Sequence, residues 1–460
     1  MKRLSIFALL LFLIISSLYL LTLKSDFDYN LRVIALFSFI LIILALFLNS
    51  ILFRNLFNFF NIYILMFYLF TMGQSFLFLF NFPISNFDLY KLTDNNSLYI
   101  SQIYTYFCIY FIEIGGVIGV PKRKINFNPE SPIFDNTLKF FSLIMFAVSI
   151  FPIMYLFYLL ISNFITGGYV SAFLAISGSN GLVRLAFFLS DYFIVSLFIM
   201  IIYSKKIFYK FIYSGFIFLV VLLYFSVGDR TFPISISLSL IGYFFINKQR
   251  KINLTSYISY IFLGYLFLTL IPLIGNFRNT GNLTLSILIN GITNFENVLS
   301  PLFETVSILG YSNYPFVETM EIVPSLQDFA YGESYFFSLL SIFPNIFGGI
   351  HISAIRAGLS LWLKNQLNLT YGPGFSFPAE AWYNFGWFGL FLMLPFGIIL
   401  SKIFNYNQNN LGKFINVIFF LIIVTSPRRE MLAVIRDSFY WILLPYIVSK
   451  YLNIKVIINY

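Results

Sequence analysis

Several arginines stand where apolar runs begin or end. Gly228-Asp229-Arg230-Thr231, followed by Pro233, reads as a tight turn between two such runs, and Pro427-Arg428-Arg429-Glu430 reads as another. Arg278 lies just past a third run, and Arg436-Asp437 falls one to two turns inside the last one. The arginine side chain is a planar fork that grips phosphate oxygens bidentately, and the free N–H groups of a starting helix also favour anions. The chemistry this set suits is the holding of a phosphate-bearing anion. Two plainer readings stand beside it. Each arginine could snorkel to lipid headgroups, and Arg436 and Asp437 could neutralise each other. Asp191 and Glu113 are further ionisable residues inside apolar runs. Glu113 is expected at a helix end, near the cytoplasm.

The elements that must position these groups follow from composition. Of 460 residues, 59% are hydrophobic and 10% charged, with 62 Phe and 32 Tyr. A soluble surface usually needs about 25% charged residues, so lipid is the expected solvent. A helix crosses the hydrocarbon core in about 20 apolar residues. The expected spans are Leu4–Leu23, Val33–Leu48, Ile62–Phe80, Tyr99–Val120, Phe140–Ile161, Leu185–Tyr203, Phe211–Val227, Phe232–Ile246, Tyr257–Gly275, Asn384–Leu400, Phe414–Thr425 and Met431–Val448. The first reads as an uncleaved span and not a signal peptide, because Lys2 and Arg3 precede a long run without a clear small-residue cleavage site.

The fold class expected is therefore all-α, a polytopic membrane protein of about twelve helices. Three stretches organise it: nine spans over 1–275, one large extracytoplasmic loop over 276–383, and three spans with a short tail over 384–460. Charge supports the orientation. Lysines such as Lys122, Lys124, Lys205, Lys206 and Lys251 cluster on one side, which the positive-inside rule makes cytoplasmic, with both termini inside. The opposite side carries Arg32, Arg184, Arg230, Arg278, Arg356, Arg428, Arg429 and Arg436. Arginines on the translocated face run against the rule, which favours the anion reading. The net charge of +10 is thus accounted for by the membrane and does not call for nucleic acid. The long loop is rich in aromatic and aliphatic residues, so it is expected to be ordered. Ser353–Leu367 reads as an amphipathic helix with Ile355, Leu359, Trp362 and Leu363 on one face, lying on the membrane or on the outer ends of the spans.

Composition also excludes chemistry. One cysteine, Cys108, and one histidine, His351, rule out a disulfide framework and a Cys/His metal centre within the chain. His351 is expected to be structural. There is no P-loop and no dinucleotide fingerprint. No cofactor and no metal is expected, and a substrate would have to arrive already activated.

Four segments carry a resemblance. Gly228-Asp229-Arg230-Thr231 is similar to a Gly-x-Arg turn. Tyr331-Gly332-Glu333-Ser334-Tyr335 is similar to a Tyr-Gly-x-Ser-Tyr segment of a large loop, with Pro344 nine residues past Tyr335. Glu380-Ala381-Trp382-Tyr383-Asn384-Phe385-Gly386-Trp387-Phe388-Gly389 is similar to a Glu-Ala-x-x-Asn-Phe-Gly-x-x-Gly signature. Arg436-Asp437-Ser438 is similar to an Arg-x-Ser motif. In this order they resemble the O-antigen polysaccharide polymerases, the Wzy-like repeat-unit polymerases of bacterial inner membranes. The first half of the chain matches only as generic spans.

The resemblance implies a GT-C-like, metal-independent glycosyltransferase of lipopolysaccharide and polysaccharide biosynthesis. It would transfer a growing glycan en bloc from its undecaprenyl pyrophosphate carrier onto a lipid-linked repeat unit, on the periplasmic face of the inner membrane. A chain-length regulator enters as a partner on the same ground. On this reading Arg230, Arg278, Arg428 and Arg436 hold pyrophosphate. Glu380 is the acceptor base or orients a sugar, with Asp229 as second choice. Glu380 could equally cap the tenth span as its N-terminal acid. The glycine and aromatic positions of the signature are expected to serve helix packing and the interfacial belt. A flippase for the same unit would want the same cations, but two related halves are expected of one and none is visible. A ligase of the same membrane class shares the chemistry and differs in acceptor.

Overall fold

The computed structural model describes residues 2–20, 27–53, 55, 57–84, 87–120, 132–177, 181–229, 231–247, 300–343, 351–369, 372–405 and 409–458. Among these residues there is no strand, and 10 helices are long and apolar enough to cross a membrane. Their outward faces carry large apolar side chains such as Phe151, Ile207 and Phe211, which suits helices whose solvent is acyl chain. The expected eighth span is the 17-residue helix Thr231–Asn247. The expected ninth, Tyr257–Gly275, lies outside the described residues.

The chain divides into two compact units. The first comprises Met1–Lys124, Leu299–Tyr406 and Ile423–Arg436. Within it Asn95–Gly119 packs on Met393–Phe404 at backbone contact. A Cβ on Gly115 would stand 2.2 Å from the Leu394 carbonyl oxygen, and one on Gly397 would stand 2.1 Å from that of Ile112. Small residues let two apolar helices approach to backbone contact where lipid supplies no hydrophobic drive. Gln74 ties the span Phe59–Leu79 to outer segments: its amide donates to Phe87 O at 2.6 Å and Ser307 O at 3.0 Å, and its oxygen accepts from Leu89 N at 2.9 Å. Glu113 stands in the last two turns of Asn95–Gly119, near a helix end as expected, and is fully buried there, accepting from Asn49 Nδ2 at 3.0 Å.

Within the same unit the long loop is itself helical, with Ser300–Gly310, Tyr314–Ile322, Glu333–Leu340, Ile352–Arg356 and Leu359–Gln366. The last two replace the single amphipathic helix expected over Ser353–Leu367. The chain leaves the helical region at Gly358 (φ −80, ψ 71), where a Cβ would stand 2.3 Å from Ala354 O. Leu359 and Leu363 are buried while Ile355 is exposed, so the four apolar residues do not share one face. His351 has a local structural contact: its Nδ1 accepts from Ser353 N at 3.1 Å and caps Ile352–Arg356.

The second unit comprises Ile125–Val298, Asn407–Ile422 and Asp437–Tyr460. Its described part is apolar spans packed by rings. Pro132–Ser177 runs 46 residues, broken at Gly168 (φ 73, ψ −169), and packs on Gly181–Tyr203. Phe146 stacks on Phe193 at 5.1 Å, and Tyr224 meets Phe157 at 5.0 Å and Phe232 at 5.2 Å. Asp191 is half-buried.

Candidate functional site

The helix Phe377–Phe385 begins seven residues before the expected span. Ser376 explains the start: its hydroxyl accepts from Ala379 N at 3.2 Å, and Pro378 sits in the first turn, a position where no donor is lost. Glu380 and Asn384, four residues apart, share a face of this helix, and both are fully buried. The helix ends against the loop. Its terminal carbonyls, which have no partner within a helix, accept from Ala330 N (Tyr383 O, 3.0 Å) and Tyr331 N (Asn384 O, 2.9 Å), and Asn384 Oδ1 accepts from Gly332 N at 3.0 Å. Gly332 makes this possible at φ 93, a region that side chains disfavour. The stacked rings of Tyr335 and Phe385 close the contact at 6.2 Å. The Tyr-Gly-Glu-Ser segment and the Glu-Ala-Trp-Tyr-Asn-Phe-Gly segment are thus one structural object.

Glu380 extends that object to a third segment. Its Oε1 accepts from Ser334 Oγ at 2.7 Å, and Ser334 Oγ in turn accepts from Asn384 Nδ2 at 2.8 Å. Its Oε2 accepts from Met431 N at 2.6 Å. Met431 opens the helix Met431–Ser438, so the carboxylate satisfies an orphan N–H and meets the positive end of that helix. The helix start it caps is therefore not its own, which Ser376 caps.

Just before Met431 stands the arginine turn. Ser426–Arg428 is a 3-10 turn, closed by Arg428 N to Thr425 O at 2.9 Å and Arg429 N to Ser426 O at 3.1 Å, and Ser426 Oγ pairs with Tyr63 OH at 3.1 Å. Arg428, Arg429 and Arg436 are half-buried. Glu430 accepts from Ser360 N at 2.9 Å, at the start of Leu359–Gln366. Its carboxyl is pushed up by burial, and the backbone N–H donors, Arg429 and Arg436 pull it back. The loop helices are tied in further by Trp362 Nε1 to Gln327 at 2.9 Å, Gln327 Nε2 to Tyr383 OH at 3.1 Å, and an Arg356–Glu333 ion pair at 3.2 Å.

The model of one family, O-antigen polysaccharide polymerase Wzy, matches residues 4–459, nearly the whole chain. The chain belongs to that family. Comparison with curated proteins and with solved structures gave no match. The four segments that carried the resemblance can now be placed in this O-antigen polymerase. Two of them, at Tyr331–Tyr335 and Glu380–Gly389, are locked together, and the segment beginning at Arg436 closes the helix whose start Glu380 caps. In the fourth, Asp229 Oδ1 accepts from Thr231 N at 3.0 Å and starts the helix Thr231–Asn247 within the second unit. Arg230 and Arg278 lie outside the described residues. Among the described residues no group of three or more His, Cys, Asp or Glu could hold a metal.

Ser334, Glu430 and Asn384 entered the sequence reading only as letters of their segments, Asn384 also as a span start, and none was given a role in the site. The spacing of Glu380 and Asn384 was a usable signal, because two polar residues on one face of an apolar helix require a partner. The glycines of the signature do serve close packing: a Cβ on Gly386 (φ 55) would stand 2.8 Å from the Phe329 ring, and one on Gly389 2.3 Å from Ala381 O. Trp382 and Trp387 cluster around Tyr104, with ring centroids 5.5 and 5.6 Å away.

Proposed function

We propose that this polymerase extends surface polysaccharide by moving a glycan from a polyprenyl pyrophosphate carrier to a second lipid-linked repeat unit, on the periplasmic side of the bacterial inner membrane. The acceptor hydroxyl oxygen forms a bond to the anomeric carbon of the donor. The bond from that carbon to pyrophosphate breaks, the carrier leaves as its pyrophosphate anion, and the hydroxyl proton passes to a base. Pyrophosphate is a good leaving group, so the chief demand is for fixed positive charge where charge develops. Arg428 and Arg436 meet that demand, and the sequence adds Arg230 and Arg278 to the set.

The observation that carries this reading is the arginine turn: three half-buried arginines, Arg428 and Arg429 just before one helix and Arg436 in its last turn, at a turn tied by two carboxylates that bind backbone N–H groups. Deleting the gene and displaying surface polysaccharide on a gel tests it. A single repeat unit in place of the ladder is the expected result. Loss of every unit from the surface would indicate a flippase, and polymer left on its carrier would indicate a ligase.

A further inference from the structure

Glu380 combines complete burial with complete engagement. Neither oxygen is presented to solvent, since residue exposure is zero, and each accepts a hydrogen bond from a different segment: Oε1 from Ser334 at 2.7 Å and Oε2 from Met431 N at 2.6 Å. A general base must come within hydrogen-bonding reach of the proton it removes. An oxygen that already holds a backbone N–H inside the protein is placed for support, not for proton transfer.

We propose that Glu380 is a positioning residue of the polymerase, which sets the arginine turn relative to the large loop, and that another group takes the acceptor proton. The proposal rests on the polymerase reading above. The bond to Met431 N fixes the chain at the residue following Arg428-Arg429-Glu430, and it fixes the start of the eight-residue helix that carries Arg436 in its last turn. The bond to Ser334 fixes the same carboxylate to the Tyr331–Tyr335 segment, which Asn384 holds through both its backbone and its side chain. One buried side chain therefore joins three of the segments that distinguish this chain from a generic bundle. Displacement of a binding group by about 1 Å is enough to cost on the order of 100-fold in rate, so loss of this joint would act on catalysis through the arginines.

Positioning and base roles differ in what glutamine can replace. The substitution Glu380→Gln keeps the length and volume of the side chain. The amide oxygen would still accept from Met431 N, and the amide nitrogen would meet Ser334 Oγ, which has a second lone pair to offer. A neutral amide could not accept a proton from a hydroxyl. The test complements a deletion strain with wild type, Glu380→Gln, Glu380→Ala and Arg436→Lys, and measures polymer and its rate against pH in membranes with matched amounts of protein. Expected for Glu380→Gln is normal accumulation, a ladder, a rate within about tenfold of wild type, since neutral hydrogen bonds replace charge-assisted ones, and an unchanged pH profile. Expected for Glu380→Ala is a loss of about 100-fold with a raised KM for the lipid-linked unit.

A Glu380→Gln variant that accumulates normally and is as inactive as Glu380→Ala would overturn the proposal, and so would a shifted acid limb of its pH profile. Failure of Glu380→Gln to accumulate would overturn it too, because the charge would then hold the whole fold and not this joint. Failure of the polymerase reading looks different: wild type itself would restore no ladder, whereas an Arg436→Lys ladder equal to that of wild type would overturn the proposal by removing the arginine that Glu380 is held to position.

Discussion

Two arginine-bearing turns, one in each unit, are built in different ways. At Gly228–Thr231 the described bonds are local ones: Gly228 takes φ 83, Gly228 N donates to Phe225 O at 3.0 Å, and Asp229 accepts from Thr231 N two residues on. At Pro427–Glu430 the turn is held from far along the chain, by Glu380 on Met431 N and by Tyr63 on Ser426, while Glu430 reaches out to Ser360. Local bonds set the shape of a turn. A bond from far along the chain sets its place relative to the loop, which is what the proposed pyrophosphate site would require. The same contrast runs through the units at large. The first spends its buried polar groups on ties between segments, whereas the described part of the second is packed by rings.

The largest expected effect comes from removing the fork while keeping the charge. Arg428→Lys and Arg436→Lys should each lower polymer formation by about 100-fold or more, the scale of losing one oriented donor in an active site, with unchanged membrane abundance. Gel ladders from complemented cells read this directly, and full-length ladders from both variants would remove the arginine turn from the mechanism. Next comes Ser334→Ala. It strands Glu380 Oε1 in a buried setting and takes one of two acceptors from Asn384 Nδ2, which keeps Glu380 O at 2.8 Å, so thermal unfolding of the detergent-solubilised protein should show a loss of about 1–3 kcal/mol.

Asp229→Ala sharpens the comparison from the other side. It removes a helix-start cap, so its cost should be about 1 kcal/mol, and Asp229→Asn should restore most of it. A loss of about 3 kcal/mol or more, the upper end expected for a stranded buried polar group, would mean that this turn too depends on more than its local cap.

The smallest effect concerns Glu318, in the loop helix Tyr314–Ile322. Burial, and then the neighbouring Glu321 charge, push its carboxyl up to about 7, against a hydrogen bond from Tyr314. A raised carboxyl contributes stability that is full below the ordinary carboxylate range and is lost as pH rises through about 7. The melting temperature should therefore fall modestly between about pH 5 and pH 8, and Glu318→Gln should flatten that slope. A slope unaltered by the substitution would show that other groups set it.

Most spans were legible because lipid imposes one rule, a run of about 20 apolar residues, and Leu4–Leu23, Ile62–Phe80 and Leu185–Tyr203 obey it simply. The rule failed where another signal competed. Hydropathy placed a span start at Asn384, but Ser376 and Pro378 start the helix earlier, since capping depends on single residues that a hydropathy average blurs. Gly358 split an amphipathic pattern for a similar local reason. The burial of Glu113 was not legible, because nothing in the sequence announces Asn49, 64 positions away, as its partner. In the site, Glu380 was legible as an ionisable residue opening an apolar run. Its partners were not, because Ser334 and Met431 meet it only through tertiary structure, and a backbone N–H leaves no letter in a sequence.

The central claim is that arginines held by this long-range joint handle a lipid pyrophosphate. Purified protein reconstituted in liposomes with a lipid-linked repeat unit, without nucleotide and with chelator present, tests it most directly. The account predicts a ladder of lengthening products from wild type, and unextended substrate from Arg428→Lys and Arg436→Lys. A wild-type protein that leaves the unit unextended under these conditions, or arginine variants that extend it as wild type does, would contradict it.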